Sequence, residues 1–139
     1  MFKKILVPID LHHADKLAKA RQAAIDLAGH YGAELLYVGV TTSLPGGEAH
    51  TPAEFEAKLK QLVETDTAGK GITADAHVVI SHDPTADLDG KLLEAVRTLN
   101  ADLVVMATHV PDMTASFWQS NGGWLANHAG VSVFLIRSS

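Results

Sequence analysis

The 139 residues include no cysteine, which excludes disulfides, thiolate nucleophiles and cysteine-based zinc sites together. Basic residues are scarce, 11 Lys and Arg against 16 Asp and Glu, for a net charge of −5. That balance excludes a nucleic-acid binder that works by neutralising phosphates, and no basic run forms a membrane-binding patch. No apolar stretch approaches the roughly 20 residues of a membrane-spanning helix. The opening Met1-Phe2-Lys3-Lys4-Ile5-Leu6-Val7-Pro8 is too short in its apolar part for a signal-peptide core. A cytoplasmic, soluble domain spanning residues 1–139 is expected. Two catalytic signatures are also missing. Without Gly-x4-Gly-Lys-Ser/Thr there is no phosphate-cradling lysine loop, and without Gly-x-Ser-x-Gly there is no serine elbow.

What is present alternates regularly. Ile5-Leu6-Val7-Pro8-Ile9 is continuously apolar, as in a strand buried on both faces, with Pro8 near its end where a missing donor does least damage. Leu17, Ala20, Ala24 and Leu27 recur at helical spacing, and Gly29 and Gly32 supply a stop. Glu34 to Val40 is a second strand, and Thr41 to His50 a loop. Thr51-Pro52-Ala53-Glu54 combines a cap, proline at the first helical position and a glutamate three residues after the cap. Phe55, Leu59, Leu62 and Val63 form the stripe of that helix, which ends near Ala68-Gly69. Ala74 to Ile80 reads as a third strand. Asp83-Pro84 caps a third helix with Leu88, Leu92, Ala95 or Val96, and Leu99 on its buried side. Leu103 to Met106, Asn121 to His128 with Gly130 as stop, and Ser132 to Ile136 complete the order β-α-β-α-β-α-β-α-β. Such alternation predicts an α/β fold: one five-stranded parallel sheet, doubly wound, with helices on both faces. Ligands of such sheets bind at the carboxyl ends of the strands, where strand order reverses.

The strand ends carry the chemistry. Asp10 follows the first strand and could accept hydrogen bonds from a ribose or an adenine amino group, or simply cap the turn that follows. Val38 and Gly39 end the second strand. Met106, Ala107 and His109 lie where the fourth strand runs into a loop. Thr108 to Gln119 lacks any glycine. Gln119, Ser120, Asn121 and Gly122, followed by Gly123, open the next helix, where a hydroxyl or amide and bare backbone N–H groups could hold a phosphate or serve as a cap alone. Phe117 and Trp118 could cover a base or plug the site. His12, His13 and the other loop histidines lack metal-ligand spacing, so they read as solvated and no metal is predicted. His128 reads as a favourable charge at a helix C-terminus or as a core contact. Asp83, Asp87 and Asp89 read as the acidic first turn of the third helix.

Taken together, Lys4-Ile5-Leu6-Val7-Pro8-Ile9-Asp10, Ala101-Asp102-Leu103-Val104-Val105-Met106 and His128-Ala129-Gly130-Val131-Ser132-Val133-Phe134-Leu135-Ile136 resemble the universal stress protein family over nearly the whole chain. The resemblance implies an open, doubly wound sandwich of the adenine nucleotide alpha hydrolase type and a regulatory rather than metabolic role in the stress response. It also implies a homodimer joined through the last strand, at Val133, Phe134, Leu135 and Ile136. Members that bind ATP carry Gly-x2-Gly-x9-Gly-Ser/Thr after the fourth strand. Here Ala107, Val110 and Gln119 stand at the glycine positions, while Ser120 keeps the hydroxyl. Asp10 matches the adenosine-contacting aspartate, and Val38 or Gly39 the strand end whose backbone meets adenine.

The expectation is a binding module, not an enzyme, that takes ATP or another adenine nucleotide weakly. Val110 and Gln119 add side chains and Pro111 removes a donor, all on the phosphate side. The alternatives are a nucleotide-free interaction protein that docks on a transporter or signalling partner, and a slow ATPase, for which no water-activating base is evident.

Overall fold

A computed structural model of the chain describes residues 1–41, 51–81, 84–108 and 121–137, with the backbone alone at 84–88 and 121. Strands β1 (Lys4–Ile9), β2 (Glu34–Thr41), β3 (Ala74–Ile80), β4 (Leu103–Thr108) and β5 (Ser132–Arg137) alternate with helices α1 (Ala18–Tyr31), α2 (Pro52–Thr67), α3 (Pro84–Leu99) and α4 (Asn121–Ala129). The strands form one parallel sheet in the order β3-β2-β1-β4-β5. Sequence order therefore reverses between β1 and β4.

Period-two alternation divides the core into two layers. Ile5, Val7, Leu35, Tyr37, Leu103 and Val105 face α1 and α2, meeting Ile25, Phe55 and Leu59. Leu6, Val38, Val40, Val104 and Met106 face α3 and α4, meeting Leu92, Val96 and Leu125. The central strands β1, β2 and β4 are buried along nearly their whole length, whereas edge strands β3 and β5 are not. That contrast is what coverage on both faces demands of central strands.

Local signals account for the ends. The Thr51 hydroxyl accepts the Glu54 N–H at 3.1 Å, and Pro52 opens α2. Gly32, at φ 65°, ends α1 in the left-handed conformation, which costs a glycine nothing. Gly29 lies inside α1 rather than stopping it. Ile25 and Ala28 take the buried place expected of Leu27, which is only half-buried. A 3-10 segment, Leu11–Leu17, joins β1 to α1. It has no hydrophobic period and so left no pattern to read.

Two long-range polar clamps hold the layers. At the amino edge the Asp102 carboxylate accepts the backbone N–H groups of Lys3, at 2.8 Å, and Lys4, at 3.1 Å. The Asp102 N–H returns a bond to the Lys4 carbonyl at 3.0 Å. Within the α1/α2 layer, Arg21 Nη1 donates to both oxygens of Asp66, at 2.9 and 2.7 Å, and the Tyr37 hydroxyl donates to Asp66 Oδ2 at 2.5 Å. Burial, and next the Asp66 carboxylate, push the Tyr37 phenol far above its ordinary pKa, so it remains a donor at any working pH.

Removing one member of a largely buried ion pair strands the other. Asp66→Ala is therefore expected to cost about 3 kcal/mol in urea unfolding, and Tyr37→Phe, which leaves the Arg21–Asp66 pair intact, about 1–2 kcal/mol. Equal losses from the two variants would contradict this division.

Candidate functional site

The site begins with an incomplete ladder. β1 pairs with β2 along its whole length, from Lys4↔Glu34 to Ile9↔Gly39. Its pairing with β4 comprises only Ile5↔Leu103 and Leu6↔Val104. Pro8, two residues further on, has no N–H with which to continue a ladder. The two central strands are thus bonded at the amino edge and unbonded at the carboxyl edge, at the point where strand order reverses. Open α/β sheets place their ligands at such a point.

Asp10 stands directly above this opening. Among the described residues it is one of two buried polar or charged ones, 7% exposed. Its Oδ1 accepts the His12 N–H at 3.0 Å, and Oδ2 lies 3.0 Å from His13 Nδ1. The capping role is therefore real: Asp10 is the N-cap of the 3-10 segment. His13 is not a solvated loop histidine, because its ring is committed to Asp10. A lone apolar strand followed by Asp-x-x-His was the only signal that could have shown this pairing.

Across the opening, Met106 and Ala107 are buried, as is Val38 on β2. All three side chains belong to the α3/α4 core layer. What they can offer a ligand is backbone. Gly39 has a packing reason to lack a side chain. A Cβ there would meet Phe55 Cε1 at 2.6 Å and Cζ at 2.8 Å. At Gly122 an added Cβ would overlap Leu135 Cδ2 and lie 3.2 Å from its Cγ, so this glycine lets α4 lie close on β5. Asn121 opens α4, and its side chain lies outside the described residues. So do His109, Val110, Pro111, Phe117, Trp118, Gln119 and Ser120, the phosphate half of the expected site.

Other expected roles sort as follows. His128, exposed in the last turn of α4, bonds the Trp124 carbonyl through Nδ1 at 2.7 Å and stacks on the Trp124 ring at 4.4 Å. It serves the helix end, and its ring packs on Trp124, which itself rests against the α3/α4 core. Asp89 falls in the second turn of α3, where one carboxylate oxygen is buried without a partner and burial raises its pKa. It does not act on the helix terminus. Asp83 and the Asp87 side chain lie outside the described residues. Among the described residues no group of three or more His, Asp or Glu could hold a metal ion, and no described helix is long and apolar enough to cross a membrane.

The Phe55 ring is itself buried. Gly39→Ala should cost about 1–3 kcal/mol by overpacking, measured by thermal or urea unfolding, and Phe55→Leu should relieve much of that cost. Gly122→Ala should cost less, because within the single chain Leu135 is 48% exposed whereas Phe55 is buried. A Gly39→Ala variant as stable as the parent would show that the ring has room.

The sequence matches the Universal stress protein family over residues 1–137. Universal stress protein G of Shigella flexneri is 25% identical over 147 residues, covering 99% of this chain and all of that protein. A solved universal stress protein in complex with cAMP superposes with a TM-score of 0.68 at 15% identity, covering 99% of each chain. The universal stress protein from Archaeoglobus fulgidus in complex with dAMP gives 0.64 at 17% identity, over 96% of this chain and 97% of that one. The structural likenesses bear on the fold. The family match, which runs from residue 1 to the end of β5, shows the lineage: this chain belongs to the universal stress protein family.

Proposed function

We propose that this protein is a cytoplasmic regulatory module of the stress response that binds an adenine nucleotide weakly and does not turn it over. The observation that carries the reading is the buried Asp10 carboxylate above the β1–β4 opening. A carboxylate there can accept from the hydroxyl or amino groups of a nucleoside, while the backbone ends of β2 and β4 flank the base. Fold relatives in complex with cAMP and dAMP support the same ligand class. Ser120 and the start of α4 are the groups proposed for the phosphate.

The losses relative to a glycine-rich loop all fall on the phosphate side, at Val110, Pro111 and Gln119. AMP should therefore bind at least as tightly as ATP. Calorimetric titration with AMP, ADP and ATP is the test, and Asp10→Ala should weaken AMP by about tenfold, the worth of a hydrogen bond to a charged group. No heat at high micromolar nucleotide would sink the reading, and a clear preference for ATP would contradict the phosphate-side argument.

The same proposal includes a homodimer through β5. This edge strand leaves Phe134 45% and Leu135 48% exposed, with Val133 and Ile136 half-buried beside them. An unpaired strand edge with apolar side chains invites a second strand. Leu135→Asp should convert the dimer to a folded monomer in analytical ultracentrifugation, with the circular dichroism spectrum unchanged. A parent protein that sediments as a monomer would overturn the dimer.

A further inference from the structure

Asp10 is held from two sides within its own segment. One bond comes from the His12 backbone N–H to Oδ1, and the other joins Oδ2 to the His13 ring, each at 3.0 Å. A third contact, His13 N–H to the Asp10 carbonyl at 3.0 Å, ties the same two residues through the backbone. His13 interrupts the 3-10 segment with φ −127° and ψ 27°, and this departure accompanies the ring's return to Asp10. Rotation about the Cβ–Cγ bond moves both oxygens together, so a partner on each holds the carboxylate plane more tightly than the His12 N–H does alone.

A carboxylate accepts and does not donate, so the proton of this bond sits on Nδ1. Each carboxylate oxygen keeps a further lone pair after these bonds. The side chain is only 9% exposed, and those lone pairs are what it can still offer a ligand.

We propose that His13 is a positioning residue for the nucleotide: through Nδ1–H it locks the plane of the Asp10 carboxylate so that the remaining lone pairs meet the donor groups of the nucleoside. The proposal rests on the nucleotide reading above and adds a residue to it. Fixing the plane before the ligand arrives removes an ordering cost from binding. His13 touches the nucleotide only through Asp10, which separates it from a direct contact.

The experiment is a double-mutant cycle read by calorimetric titration of AMP into the intact protein. His13→Ala should weaken AMP about tenfold, as expected for losing a charge-assisted hydrogen bond. His13→Asn, whose amide N–H can replace Nδ1–H, should restore affinity to within about twofold of the parent. Asp10→Ala and the Asp10→Ala/His13→Ala double variant should bind AMP equally, because a positioning residue has nothing left to position. If the parent binds AMP and His13→Ala binds as well, the positioning role is overturned while the nucleotide reading stands. Equal losses from His13→Ala with and without Asp10 would also overturn it, by showing a direct contact or a general loss of structure. A parent that binds no AMP removes the nucleotide reading and this proposal with it. Nitrogen-15 shifts of the His13 ring in the ligand-free protein provide a check independent of binding: protonation at Nδ1 is expected, and a ring protonated only at Nε2 would contradict the pairing.

Discussion

The partial pairing of β1 with β4 is the constraint on which the rest of this structure depends. Two ladder pairs, Ile5↔Leu103 and Leu6↔Val104, join them, and the Asp102 carboxylate clamps the same end by taking the N–H groups of Lys3 and Lys4. The two strands are separated in sequence by three helices and two other strands. Bringing them together therefore closes a long loop, at an entropic cost that grows slowly with its length. Asp102 offsets part of that cost where the strands begin. Pro8 then withholds a donor near where they end. A central pair bound at one end and free at the other gives the sheet stability and an opening at once.

Much of this could be read from local pattern. The strands β1, β2 and β4 announce themselves as apolar runs because both of their faces are covered. Helix α2 is announced by Thr51, Pro52 and Glu54, a cap whose geometry needs only four consecutive residues. Elements whose determinants lie close together in sequence are legible for this reason. The clamps are not. Nothing near Asp66 points to Arg21, 45 residues away, or to Tyr37, 29 residues away. Tyr37 instead reads as one more apolar strand position. Asp102 was visible only as part of a family block, with no hint that it binds the other central strand.

The glycines show a subtler failure of local reading. Gly39 and Gly122 stand at a strand end and a helix start, where a ligand's approach would explain a missing side chain. The structure supplies another explanation for both, since Phe55 fills the space beside Gly39 and Leu135 the space beside Gly122. Neighbours brought in from α2 and β5 decide the matter, and no window of sequence around the glycine contains them. A glycine at a carboxyl edge is thus weaker support for a binding site than a buried carboxylate at the same edge. The carboxylate must be desolvated and repaid with hydrogen bonds, and hydrophobic packing gives no reason to put it there.

The same contrast orders the site by how tightly each part is determined. Asp10 cannot leave its place without exposing or orphaning its oxygens, because His12 and His13 hold both of them. The backbone ends at Val38, Met106 and Ala107 are anchored by side chains that belong to the core. The residues proposed to meet a nucleoside are therefore built into the packing of β1, β2 and β4. The stretch between β4 and α4 is where the sequence departs from the glycine pattern that the family resemblance implies. Its glycine positions have gone to Ala107, Val110 and Gln119. Of these, Ala107 lies within the sheet, where a small side chain is accommodated in the α3/α4 layer; Val110 and Gln119 lie outside the described residues. In the proposed reading, the differences at these positions bear on the phosphate side alone, since the Asp10 carboxylate and the strand ends beside it are held by β1, β2, β4 and the segment after β1.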